Sequence, residues 1–123
     1  LGAFVVSQIA LPHMVTRGAG TLIFSGATAA LRGGAKFAAF ASAKFAQRGL
    51  AQALAREYGP QGVHVAHVVI DGMIDAATTE RLAGPGSQRM DPEAIARAYL
   101  YLAGQHPSAW THELDLRPSS ERF

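Results

Sequence analysis

Cysteine is absent from the 123 residues. That excludes disulfides, thiolate zinc sites and cysteine nucleophiles, and makes the reducing cytoplasm the expected compartment. Charge is also scarce, with Asp, Glu, Lys and Arg making up 16% of the chain and a formal net charge of only +2. The arginines are scattered and form no run or stripe, so nucleic acid is not an expected partner. Long apolar runs are missing too. The stretch from Leu1 to Val15 is interrupted by Ser7, Gln8, Pro12 and His13 and is too short to cross a bilayer core of about 30 Å. It carries neither the basic leader nor the cleavage site of a signal peptide, and no membrane partner is expected. Low-complexity tracts, internal repeats and interdomain linkers are also lacking.

What is present is apolar and small. Hydrophobic residues make up 49% of the sequence, with 13 glycines, enough for one domain over residues 1–123 with its own core. Residues 1–17 place Phe4, Val5, Gln8, Ile9, Leu11 and Met14 at three- and four-residue spacings, which predicts a helix buried over much of its surface and kinked or loosened near Pro12. After the turn Arg17-Gly18-Ala19-Gly20, the run Thr21 to Ser25 has the character of a parallel strand covered on both faces. Gly26 to Gly34 is a small-residue loop. An alanine-rich helix from about Phe37 to Tyr58 follows, ended by Gly59-Pro60-Gln61-Gly62, and Val63 to Ile70 is β-branched enough for the next strand. Asp71-Gly72 turns the chain, and Asp75 to Leu82 predicts a short helix broken by Gly84-Pro85-Gly86-Ser87. Asp91-Pro92-Glu93 then supplies an N-cap, a proline at the first helical position and a first-turn acid for a helix to about Gln105. A last strand at Glu113 to Leu116 precedes a polar tail ending in Phe123. The alternation of helix and strand predicts an α/β fold, a partial doubly wound Rossmann-like unit of three parallel strands whose ligands sit beyond the strands' carboxyl ends.

Three segments converge there: Ser25 to Gly34, Asp71 to Leu82, and the start of the long helix with Phe40 and Lys44, four apart on one helical face. The strand Thr21-Leu22-Ile23-Phe24-Ser25-Gly26-Ala27, followed by Phe37-Ala38-Ala39-Phe40-Ala41-Ser42-Ala43-Lys44, resembles the active-site half of a short-chain dehydrogenase/reductase. In that family the helix carries Tyr-x-x-x-Lys. Lys44 stands at the lysine, which the resemblance implies would hold the nicotinamide ribose and lower the neighbouring phenol's pKa. Phe40 stands at the tyrosine that gives or takes the substrate's proton, and Ala27, thirteen positions earlier, stands at the family's serine. Ser25 and Thr28 are the fallback hydroxyls. The family's Pro-Gly and following branched residue correspond to Asp71, Gly72 and Ile74, so Asp71 puts an acid near the mouth of a cofactor pocket, where it repels a phosphate or binds a hydroxyl.

The resemblance covers essentially the whole chain but only the family's C-terminal half. The glycine-rich pyrophosphate turn and ribose-binding acid of the first half have no counterpart, because Gly18-Ala19-Gly20 precedes a strand and does not join a strand to a helix. The chain is therefore expected to be part of an NAD- or NADP-dependent oxidoreductase, inactive and without cofactor on its own. The alternative is a non-catalytic pseudoenzyme kept for binding or assembly. Family members often dimerise through the first and long helices, which implies a homo-oligomer.

Plainer readings compete at several positions. Lys44 alone would be read as a snorkelling lysine. His64 and His67, on opposite strand faces, make a poor metal pair and read as structural or surface histidines. Turn and cap roles account for Asp71 and Asp75. Glu113 and Asp115 share a strand face and are expected toward solvent or a partner subunit. Tyr99, Tyr101 and Trp110 read as core or interface, with Trp110 anchoring the last strand.

Overall fold

The computed structural model describes residues 1–77, 79 and 88–120. The helix expected over Asp75 to Leu82, its Gly84-Pro85-Gly86-Ser87 break and the terminal Phe123 lie wholly or largely outside these. The elements run α1 (Gly2–Arg17), β1 (Gly20–Ala27), α2 (Ala38–Tyr58), β2 (Val63–Ile70), α3 (Pro92–Ala103) and β3 (Glu113–Leu116). The three strands form one parallel sheet in the order β1-β2-β3. Gly20 to Ala27 pair with Val63 to Ile70, and His67 to Ile70 with Glu113 to Leu116.

Alternate residues of β2 feed two separate cores, as the two-residue strand period requires. Val63 and Val65 pack with Leu11, Phe24 and Ala51, flanked by Leu50 and Leu54 of α2. Ala66 and Val68 pack instead with Leu102 and Tyr99 of α3. β2 is thus buried along nearly its whole length, which explains its run of valines.

α1 runs unbroken through Pro12 and ends at Gly18, whose left-handed conformation (φ 66°) lets its N–H reach the Met14 and Val15 carbonyls. The turn before β2 presses on this cap. Gly62 has φ 86°, and a Cβ there would collide with the Gly18 carbonyl oxygen, so only glycine fits on two counts. α3 begins as its sequence predicts, with the Asp91 carboxylate accepting from Glu93 N–H at 2.9 Å. One expectation for α1 fails. Ser7 and Leu11 alone are fully buried, while Phe4, Val5, Val6 and Ile9 remain exposed, because a sheet that ends at β1 offers α1 only a narrow seat.

Glu113, expected toward solvent or a partner subunit, is half-buried and turned to partners within the chain. Its carboxylate takes two hydrogen bonds from Arg48 of α2, each 2.7 Å, and lies 3.0 Å from Nδ1 of the fully buried His67. Parallel pairing sets His67 opposite Glu113, and the long arm of Arg48 closes the group from the helix. Asp115 remains at the surface and pairs with Arg117. On the other sheet face His64 stacks on Trp110, centroids 4.9 Å apart, and bonds the Thr111 carbonyl at 2.8 Å. Both histidines are therefore structural.

This cluster, with His67 buried and Arg48 and Glu113 half-buried, sets a pH dependence. Burial holds the His67 imidazole below its ordinary pKa despite the opposing pull of Glu113. The Arg48 hydrogen bonds hold the Glu113 carboxyl below its ordinary range. In both cases the unfolded chain binds the proton more readily, so stability is present above the unfolded pKa and lost as pH falls toward the folded one. The urea midpoint should decline on acidification below about 6.5 through His67, and again below about 4.5 through Glu113. Urea titrations from pH 8 to 3.5 test this, and Glu113→Gln should remove the second decline; a midpoint flat over that range would show that the cluster does not govern acid stability.

Candidate functional site

β1 and β2 end side by side at Ala27 and Ile70. Past Ala27 the chain makes a single 3-10 turn, Thr28–Ala30, whose Ala29 and Ala30 are buried beneath α2. The small side chains let α2 sit close, and Phe37 at its N-cap brings the next turn over the strand ends. These segments enclose a cleft of about 690 Å³ lined by Ala27, Thr28, Arg32, Phe40, Asp71 and Gly72, with Ala29, Phe37 and Met73 adding apolar wall. Four of the site residues expected from sequence thus meet in one place: Phe40, Ala27, Asp71 and Gly72.

The others lie beside the cleft. Lys44 sits one turn along α2 from Phe40, its Nζ 5.7 Å from the Phe40 ring centroid. It does not stretch to open solvent. The ammonium donates to the Ser25 carbonyl at 2.9 Å and reaches Gln47 Oε1 at 3.5 Å, which leaves one of its three N–H groups to spare. Ser25 turns its hydroxyl to the α3 side, 2.7 Å from Tyr99 Oη. Tyr99 is therefore both core and partner to Ser25. Ile74 bridges to Met90 through the flanking Met73 carbonyl and Asp75 N–H. Its own carbonyl accepts from Thr79 at 2.6 Å, and its N–H points away from Met90. Gly72 is required by packing, since a Cβ would come within 2.8 Å of Pro118 and 3.1 Å of Met90.

Asp71 departs most from its sequence reading. It is 2% exposed. Oδ1 accepts from the Thr28 hydroxyl and lies 4.0 Å from Arg32, while Oδ2 is 3.7 Å from Arg117. Burying a lone carboxylate is costly, and the Thr28 hydrogen bond with two guanidinium charges within 4.0 Å offsets part of that cost, although Oδ2 accepts no hydrogen bond among the described residues. The acid is thus partly compensated within the fold and does not stand as a bare charge at the pocket mouth. Arg32 and Arg117 carried no signal in the sequence, because each is an isolated basic residue that only the fold brings to Asp71. Among the described residues no group of three or more His, Asp or Glu is placed to hold a metal, and no helix is long and apolar enough to cross a membrane.

The short chain dehydrogenase family matches residues 1–84. An uncharacterised short-chain type dehydrogenase/reductase of Sinorhizobium fredii is 32% identical over 115 residues, covering 83% of this chain and 45% of that protein. A short-chain dehydrogenase of Rhodopseudomonas palustris superposes with TM-score 0.76 at 43% identity, over 94% of this chain and 46% of the other. A putative NAD(P) dependent gluconate 5-dehydrogenase of Beutenbergia cavernae, solved with NADP at low occupancy, shares the fold at TM-score 0.78 and 24% identity, over 92% of this chain and 50% of the other. The chain therefore spans about half the length of these relatives. With the sequence match and the cleft at the strand ends in agreement, the chain belongs to the short-chain dehydrogenase family.

Proposed function

We propose that this chain is the nicotinamide-facing, C-terminal half of an NAD(P)-dependent oxidoreductase, a single domain that is inactive as 123 residues alone. The observation that carries the reading is the cleft beyond β1 and β2, which joins Phe40, Ala27 and Asp71 with Lys44 anchored at its side. Strand ends of an α/β sheet are where such ligands bind. The donor set fits a nicotinamide riboside: Lys44 has a spare N–H for a ribose hydroxyl, and the Ile74 N–H, free of the Met90 bridge, suits a carboxamide oxygen. When bound, the cofactor supplies hydride chemistry. The chain's own part is to orient it, to exclude water with Phe37, Phe40 and Met73, and to manage the proton on the substrate oxygen. A second copy of the chain is the partner we propose for the exposed side of α1.

Fluorescence titration tests the assignment. The 123-residue chain should show no saturable NADH or NADPH binding, whereas a protein of the relatives' full length carrying this segment should bind in the micromolar to millimolar range. Micromolar binding by the chain alone would overturn its inactivity, and no binding by the longer protein would remove the oxidoreductase reading.

A further inference from the structure

With phenylalanine at 40 and alanine at 27, the substrate oxygen needs another hydroxyl partner. We propose that Thr28, oriented by Asp71, is that partner, and that the substrate body beside the reacting oxygen is apolar or aromatic. This inference rests on the oxidoreductase reading above.

The structure separates the two fallback hydroxyls. Ser25 is engaged with Tyr99 Oη at 2.7 Å and does not line the cleft. Thr28 lines it, and its Oγ1 donates to Asp71 Oδ1. A threonine hydroxyl has one proton and two lone pairs. Because Asp71 takes the proton, a lone pair remains to accept an O–H from a substrate in the cleft. Asp71 is itself held by Arg32 at 4.0 Å and Arg117 at 3.7 Å, so its carboxylate cannot swing away without leaving both guanidinium groups. The surrounding wall of Ala27, Ala29, Phe37, Phe40 and Met73 is apolar, and Phe37, Phe40 and Met73 keep substantial exposed surface for a ligand to cover.

In alcohol oxidation the O–H bond breaks and its proton moves to Thr28 Oγ1 as the threonine's own proton passes to Asp71 Oδ1. The C–H bond breaks, its hydrogen and electron pair going to an oxidised nicotinamide, and the C=O bond forms. The alcohol is oxidised, the nicotinamide is reduced, and the proton rests on the carboxylate. Ketone reduction is the reverse.

The test needs no nucleotide. Methyl and amide NMR signals of the chain are followed during titration with 1-phenylethanol and, separately, with ethylbenzene, which has the same ring without the hydroxyl. The alcohol should bind with shifts at Thr28 and Asp71, roughly fivefold tighter than the hydrocarbon, as one added hydrogen bond implies. Thr28→Val should abolish that difference and Thr28→Ser should restore it, with circular dichroism reporting the fold of each variant. Equal affinity for the two probes in the unaltered chain, absence of alcohol binding, or an unchanged preference in Thr28→Val would each overturn the proposal. The first two comparisons use the natural sequence and hold even if a variant does not fold. Failure here removes Thr28 and leaves the oxidoreductase reading to be decided by the nucleotide titration.

Discussion

Phe40→Tyr combined with Ala27→Ser, in a protein of the relatives' full length that carries this segment, should raise carbonyl reduction by about two orders of magnitude, the usual contribution of a positioned acid–base group. Both positions line the cleft, so the new hydroxyls would enter the space a substrate oxygen would use. The phenol would also lie close to the Lys44 ammonium, now 5.7 Å from the ring centroid at position 40, and a neighbouring cation favours the phenolate and eases proton exchange. Either change alone should yield less, since the two hydroxyls would share one substrate oxygen. The same pair introduced beside Thr28→Val separates the proton routes: Thr28→Val by itself should lower the rate, and adding Phe40→Tyr with Ala27→Ser to it should restore the loss. Steady-state reduction of an aryl ketone measures the natural sequence, the double variant, Thr28→Val and the triple variant. An unchanged rate for the double variant of an enzyme that already reduces ketones would show that the proton enters from elsewhere.

A second large effect is expected on α1, which presents Val5, Val6 and the 65% exposed Ile9 to solvent. Such a contiguous apolar strip is uncommon on a monomer, and it lies on the helix through which the family resemblance implies dimerisation. If a second copy covers it, Ile9→Glu would bury an unpaired carboxylate at the contact and weaken self-association at least about 30-fold, or roughly 2 kcal/mol. The monomer fold should survive, because Ile9 lies outside both cores. Sedimentation velocity over a concentration series reads the result. A natural chain that stays monomeric at high micromolar concentration would remove the second copy as the occupant.

The fold was legible because its signals are local. The cap Asp91-Pro92 starts α3 where expected, glycines end α1 and precede β2, and the valine run of β2 reads as a strand covered on both faces. The placement of Phe40, Ala27, Asp71 and Gly72 at one cleft was legible too, since strand ends and the following helix start must meet in a parallel α/β unit. The burial of α1 was not, because periodicity reports an apolar face without saying whether anything covers it. Glu113 was misplaced for a related reason. Alternation on a four-residue edge strand gives two faces, but the partner that makes one of them an interior is Arg48, 65 residues away.

The amino-acid sequence by itself determined the order of helices and strands, the family, and the lack of a hydroxyl at positions 40 and 27, all of which follow from residue type and short-range spacing. Only the tertiary structure decided which hydroxyl faces the cleft and what becomes of the acid beside it. Thr28 and Asp71 are 43 residues apart, and Arg117 comes from beyond β3. Their meeting depends on strand register and on the direction each side chain takes at a strand end, where alternation no longer binds. Thr28 turns to Asp71 because a buried carboxylate needs a donor, whereas Ser25, exposed at its strand end, turns to the Tyr99 hydroxyl.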